Sequence, residues 1–140
     1  MARIRDIMEK KVITIEYNKT ALDAAKLLKE KEISFLVIIK ENLPIGIVSE
    51  RDFVRKIAAE DKIPSSSSLE SIMSRKFRWV GPDSFIEDAV QKMLNNNIRR
   101  LLVLENEKLV GVITQTDLAS YLRSKLLING TMDNIESEKS

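Results

Sequence analysis

Apolar positions fall along this chain in two stretches that repeat one another. Val12 to Glu16 is short and rich in β-branched residues, which predicts a strand. Ala21, Ala24, Ala25 and Leu28 then follow the i, i+3, i+4, i+7 spacing of an amphipathic helix. Phe35 to Ile39 is a continuous apolar run, which suits a strand buried on both faces. The polar turn Lys40-Glu41-Asn42 leads into Ile45-Gly46-Ile47-Val48, and a second helix is expected from near Glu50. The same order returns downstream. Ile86, Ala89, Val90 and Met93 make the helical stripe, Leu101 to Leu104 the apolar run, and Glu105 to Lys108 the turn. Val110-Gly111-Val112-Ile113 follows, and a helix is expected from near Gln115. Each unit reads β-α-β-β-α.

A shift of 65 residues aligns the two units without a gap. Ile7-Met8 falls on Ile72-Met73, Lys11 on Lys76, and Asp23-Ala24 on Asp88-Ala89. Ile33 meets Ile98, Leu36 meets Leu101, Gly46 meets Gly111, and Asp52 meets Asp117. Thr20-x-x-Asp23 and Ser84-x-x-Glu87 have the spacing of capping boxes, and Ser67-x-x-Glu70 predicts a short helix leading into Ile72-Met73. These signals divide the chain into a first repeat over 1–62, a linker over 63–68, a second repeat over 69–128 and a polar, frayed tail over 129–140. A unit of ~60 residues buries only about 60% of its unfolded surface. The expected fold is therefore α/β (α+β), with the two repeats packed on each other about a pseudo-two-fold axis.

Composition narrows the chemistry. Among 140 residues there is no Cys and no His. Thiolate nucleophiles, disulfides, iron–sulfur clusters, His-based triads and His-ligated metals are excluded. Only Lys, Asp, Glu and Tyr remain for catalysis, and no base, nucleophile and metal set is visible, so no enzyme is expected. The net charge is +2, with 23 basic and 21 acidic residues. Lys10-Lys11 and Arg75-Lys76 are short basic clusters of the kind that solvate a face, and so modest a charge argues against strong nucleic-acid binding. No apolar run approaches the ~18 residues of a membrane span, and Met1 to Asp6 lacks a signal-peptide core, so a cytoplasmic protein is expected.

The strongest candidate for a site is the doubled motif Gly46-Ile47-Val48-Ser49-Glu50-Arg51-Asp52 and Gly111-Val112-Ile113-Thr114-Gln115-Thr116-Asp117. A strand here delivers a hydroxyl and a carboxylate to the first turn of a helix. A strand glycine permits close approach of a backbone or a ligand. Helix N-terminal N–H groups suit an anion, and a carboxylate can accept from a ribose diol. The same spacing also makes Ser49 or Thr114 an N-cap with Asp at N3. Both readings are compatible, since a cap can still present oxygens to a cleft.

The repeated β-α-β-β-α unit, the leading Asp6-Ile7-Met8 and Ser71-Ile72-Met73, and the doubled motif together resemble a tandem pair of CBS domains, named for cystathionine β-synthase and called a Bateman module when paired. The resemblance covers roughly residues 4–125. It implies a regulatory module that binds an adenosyl ligand (AMP, ADP, ATP or S-adenosylmethionine) in clefts between the repeats, with no further cofactor. It implies ribose contacts from Ser49 and Asp52 and from Thr114 and Asp117. It implies base contacts from Val12, Ile13 and Thr14 and from Phe77, Arg78 and Trp79. Phosphate or ribose contacts map to Ser34, Phe35 and Arg51 and to Arg99 and Arg100. The resemblance also implies a homodimer, for which exposed apolar residues such as Ile57, Leu118 and Leu122 are expected, and an enzyme or transporter as the regulated partner. The alternative is a module that recruits nucleic acid or protein without sensing nucleotides.

Overall fold

The computed structural model describes residues 2–128. Its elements run α1 (Ile4–Ile7), β1 (Thr14–Glu16), α2 (Ala21–Lys31), β2 (Phe35–Lys40), β3 (Leu43–Ser49) and α3 (Glu50–Phe53). A π-helical turn (Val54–Ala58) and a 3₁₀ turn (Pro64–Ser66) follow, then α4 (Leu69–Ile72), β4 (Trp79–Val80), α5 (Ile86–Asn96), β5 (Arg100–Glu105), β6 (Lys108–Thr114) and α6 (Gln115–Ile128). The strands form two three-stranded sheets, ordered β1-β2-β3 and β4-β5-β6. In each, the first strand pairs parallel with the second. In the first sheet β2 and β3 form an antiparallel hairpin. The first predicted strand begins at Thr14 rather than Val12, although Val37 N–H still reaches the Ile13 carbonyl at 3.3 Å.

The chain divides into two compact units that do not follow the order of the repeats. Among the described residues, one comprises 2–10, 78–104 and 110–128, and the other comprises 11–77 and 105–109; the tail expected over 129–140 lies outside the described residues. Each unit therefore takes its Ile-Met segment from the other repeat: Ile7-Met8 packs with β4-β5-β6, and Ile72-Met73 with β1-β2-β3.

The core of each unit is the apolar pattern made solid. In the unit built on β1-β2-β3, Ala21, Ala24 and Leu28 of α2 pack on Leu36, Ile38 and Val48, and Leu69, Ile72 and Met73 close the cluster. In the other, Ala89 and Met93 of α5 pack on Leu101, Val103 and Ile113, and Ile4 closes it. All of Leu36–Ile38 and Leu101–Val103 are buried, as continuous apolar runs require. Both hairpin turns place two consecutive residues at positive φ, Glu41-Asn42 and Asn106-Glu107, the backbone of a type I′ turn whose twist matches the flanking strands. Both main helices stop at a left-handed residue, Glu32 or Asn97, and the next residue's N–H reaches back, Ile33 to Leu28 and Ile98 to Met93. A hydrophobic residue belongs at that position of a helix stop, which explains why isoleucine recurs there.

Three local expectations are corrected. The cap of α5 is Phe85, whose N–H donates to Asp88 Oδ2 at 3.1 Å, not Ser84 with Glu87. Phe85 aligns with Thr20, so repeat register overrides the better-looking capping residues one position earlier. The cap of α4 is Ser68, not Ser67. Ser67 is buried, and its carbonyl accepts the Ala21 N–H at 2.8 Å. Ile57 is buried in the core of its unit, because the π turn rotates it inward. By contrast Thr20 caps α2 as expected, exchanging bonds with Asp23. Those bonds from Thr20 hold the Asp23 carboxyl below its ordinary value.

The motif glycines admit a second segment against the strand. A Cβ on Gly111 would lie 2.7 Å from Met8 Sδ and 3.0 Å from the Glu9 carbonyl. One on Gly46 would lie 2.7 Å from Met73 Sδ and 3.1 Å from the Ser74 carbonyl. Those carbonyls are fixed by paired backbone bonds, Glu9 with Val112 and Ser74 with Ile47. Gly111→Ala should therefore destabilise by about 1–3 kcal/mol, the usual range for overpacking. Gly81→Ala, whose Cβ would meet only Ser84 Oγ at 3.7 Å, should be near neutral. Urea denaturation of the two variants beside the parent checks this; equal midpoints would refute the close-approach role.

Candidate functional site

Parallel pairing of the first two strands, with the third strand returning in the hairpin, brings three sequence segments to one end of the β1-β2-β3 sheet. Val12 and Ile13 precede β1, Ser34 and Phe35 open β2, and Ser49 closes β3. Phe35 pairs with Ser49 across the hairpin, and the Ser34 carbonyl accepts the Glu50 N–H at 2.9 Å. Val12, Ile13, Thr14, Phe35 and Ser49 are half-buried, while Ser34 and Arg51 are exposed. Phe77 belongs to the same unit and is half-buried.

The carboxylate of this motif is fully committed. Ser49 N–H and Oγ donate to Asp52 Oδ2 at 2.8 and 3.2 Å. Asp52 Oδ1 lies 3.1 Å from Lys56 Nζ, which also donates to the Ile72 carbonyl at 2.8 Å. Lys56 is the functional neighbour that motif reading missed. Its signal was present: Asp52 and Lys56 stand four apart on a helical stretch, the spacing of an ion pair.

The second motif has the same frame with a different outcome. The Arg99 carbonyl accepts the Gln115 N–H at 2.8 Å, and the Arg78 carbonyl accepts the Leu102 N–H at 3.0 Å. Thr114 N–H and Oγ1 donate to Asp117 Oδ2 at 2.9 and 3.0 Å, and Asp117 N–H donates back to Thr114 Oγ1 at 3.2 Å. Tyr121 stands where Lys56 stands in the first repeat. Asp117 Oδ1 has no partner among the described residues. Arg99 is exposed and Arg100 half-buried, both where β5 begins. Trp79 lines a pocket against α5 whose lining residues include neither Thr114 nor Asp117. Both motifs thus serve as helix caps through one carboxylate oxygen, and only the second leaves the other oxygen uncommitted. No group of three or more acidic side chains able to hold a metal occurs among the described residues.

The CBS domain model matches twice in tandem, at residues 4–59 and 69–124. The chain belongs to the CBS domain family. An uncharacterised protein of Methanopyrus kandleri is 35% identical over 117 residues, which is 82% of this chain and 60% of that relative's length. A solved CBS domain pair in complex with 5′-methylthioadenosine and S-adenosylmethionine superposes with a TM-score of 0.79 at 27% identity, covering 89% of this chain and 98% of that one. A hexameric CBS-CP12 protein from bloom-forming cyanobacteria superposes with a TM-score of 0.77 at 30% identity, covering 84% and 66%. No helix among the described residues is long and apolar enough to cross a membrane.

The unequal partners of the two aspartates have an energetic consequence. Asp52→Ala should cost more stability than Asp117→Ala. Both lose a cap interaction of about 1 kcal/mol, and only Asp52→Ala also loses a partly exposed ion pair, worth up to about 1 kcal/mol. A double-mutant cycle of Asp52→Ala with Lys56→Met checks it. Coupling below about 0.2 kcal/mol would remove the pair from the account.

Proposed function

We propose that this CBS-domain protein is a non-catalytic regulatory module that binds an adenosyl ligand at the Thr114–Asp117 motif. The observation that carries this reading is the half-committed Asp117 carboxylate. Thr114 holds Oδ2 in place, so the group is pre-oriented, while Oδ1 can accept from a ribose hydroxyl. The Arg99 and Arg100 side chains suit the phosphates of AMP, ADP or ATP, because a guanidinium matches phosphate oxygens in pairs. Arg78, whose carbonyl accepts the Leu102 N–H, supplies the base contact in this reading. The Ser49–Asp52 site, with Val12, Ile13, Thr14, Ser34, Phe35 and Arg51, is the weaker of the two, since Lys56 already occupies its carboxylate. A solved relative holding 5′-methylthioadenosine and S-adenosylmethionine supports the ligand class.

Signalling requires that the ligand bind two states of the module unequally. Ligand contacts at the α6 N-terminus offer a route, because α6 and α5 together border an apolar groove of about 620 Å³. Val90, Leu94, Leu118, Tyr121 and Leu122 line it, and Leu94 and Leu122 are 71% and 57% exposed. Glu87 and Lys125 also border it, one on each helix. A two-fold contact between two copies would bury these leucines and set Glu87 of one copy against Lys125 of the other, as an isologous interface permits. The protein in this reading is a homodimer that passes ligand state to a regulated enzyme or transporter.

Calorimetry with AMP, ADP, ATP and S-adenosylmethionine tests the ligand. At 100 times its dissociation constant the true ligand should stabilise by roughly 2.7 kcal/mol, without turnover. Asp117→Ala should weaken it by at least tenfold, consistent with a charged hydrogen bond of about 1.5–3 kcal/mol, and Asp52→Ala should weaken it less. Unchanged affinity in Asp117→Ala would leave the motif as a cap only. Light scattering tests the assembly. The parent should run at twice 16.0 kDa, and Leu122→Glu should run as a monomer with its fold intact.

A further inference from the structure

The pocket that holds Trp79 is distinct from either Ser/Thr–Asp motif. Val80 enters the core of its unit, while Trp79, the single tryptophan of the chain, is 52% exposed. With Ser84, Gln91, Lys92 and Asn95 its indole lines a cavity of about 470 Å³ beside α5. Each charged group here makes a bond within the protein. Lys92 Nζ donates to the Trp79 carbonyl at 2.7 Å and lies 5.7 Å from the ring centroid, which holds the indole in place. Asp88 accepts from the Phe85 N–H as the helix cap. Asn96 is spent between Arg78 Nε and the Lys92 carbonyl. What stays open is a carboxamide pair. Gln91 Nε2 donates to Asn95 Oδ1 at 2.8 Å, leaving Gln91 Oε1 as an acceptor and Asn95 Nδ2 as a donor with no partner among the described residues.

The fold does not require this set. The equivalent positions of the first repeat are Thr14, Lys19, Lys26, Leu27 and Glu30, which build the same strand and helix without an indole or a carboxamide, Leu27 packing against the core. The second repeat replaces two charges with carboxamides on one helix face and adds an indole opposite them.

We propose that the Trp79 pocket is a second ligand site that takes an uncharged pyranose sugar. The negatively polarised face of an indole attracts the C–H face of a sugar ring. Two vicinal hydroxyls, each both donor and acceptor, match the acceptor–donor pair of Gln91 and Asn95. Lys92 is turned onto the Trp79 carbonyl and Asp88 Oδ2 onto the helix cap, while Asp88 Oδ1 remains an acceptor for a further sugar hydroxyl, so an uncharged, hydroxyl-rich ring meets this lining. A small, open pocket with one aromatic wall and a few convergent polar groups sets orientation more than affinity, so millimolar binding is expected.

The lone tryptophan makes the site its own reporter. Glucose, galactose and N-acetylglucosamine are titrated to about 100 mM while indole emission is followed, with glycerol as the control for viscosity and refractive index; at least one sugar should give a saturable change with a millimolar midpoint. Gln91→Leu and Asn95→Leu should each raise that midpoint at least fivefold. Both positions are exposed on a helix and leucine is a good helix former, so circular dichroism and melting should be unchanged. Asp117→Ala, which disables the proposed adenosyl site, should leave the sugar midpoint unchanged. A linear, non-saturating response to all three sugars, or equal midpoints in parent and carboxamide variants, would overturn the proposal. Loss of the response in Asp117→Ala would overturn its independence from the motif.

Discussion

Two strand glycines, Gly46 and Gly111, are the constraint on which each unit rests. A side chain at either would meet a methionine sulfur and a backbone carbonyl at less than ordinary contact distance. Their bareness lets an extended segment lie against the third strand and exchange two backbone bonds with it. That segment carries the Ile-Met pair, which would otherwise leave the sheet's apolar surface open. In the β1-β2-β3 unit it brings Leu69, Ile72 and Met73 onto the core; in the other it brings Ile4, Ile7 and Met8. Packing of this kind explains a sequence fact that neither strand nor helix propensity accounts for: Ile-Met recurs at the shift that repeats the glycine. The pair and the glycine are two halves of one contact.

The same glycine-bearing strand then delivers the hydroxyl and carboxylate, so packing and candidate chemistry are joined through four residues of backbone. Once the strand is fixed, the Ser49 or Thr114 N–H needs a partner at the turn into the helix, and the aspartate three residues on supplies it. Capping consumes one carboxylate oxygen and immobilises the other. Stability and pre-organisation are therefore the same bond seen from two sides. What separates the repeats is the residue four further on. Lys56 draws Asp52 into the protein's own ion pair, whereas Tyr121 leaves Asp117 its second oxygen.

Much of this was legible in the sequence, because repetition supplies two independent readings of every element. The apolar runs became the buried strands β2 and β5, and three of the four stripe positions in each main helix entered the cores. The fourth is half-buried at Ala25 and exposed at Val90, which borders the groove. Local capping rules failed at Ser84 and Ser67, where a favourable residue type lay one position from the place that register dictated. Ile57 failed for a different reason: an extra residue in a π turn changes which face a side chain takes, and a 3.6-residue stripe cannot reveal it. Which sheet each Ile-Met segment completes is a long-range fact, invisible to any window. Asp52's commitment to Lys56, by contrast, could have been read from their spacing.

Divergence between duplicated units is informative because the fold holds everything else nearly constant. Positions needed for packing kept their type: glycine against methionine, isoleucine at the helix stop, aspartate at the cap. The changes gather at exposed and half-buried positions outside the fully buried cores. Lys29 became Leu94, Lys56 became Tyr121, Thr14 became Trp79, and Ser34-Phe35 became Arg99-Arg100. Scattered apolar residues are ordinary on a protein surface, whereas several gathered along one groove form a patch of the kind that contacts use. An indole, a leucine and a tyrosine appear together on one unit, beside two adjacent arginines. The two repeats therefore differ most where strand and helix meet beside the motif, and the unit that carries Thr114 and Asp117 is the one on which the proposed adenosyl site, the proposed sugar pocket and the α5–α6 groove all fall.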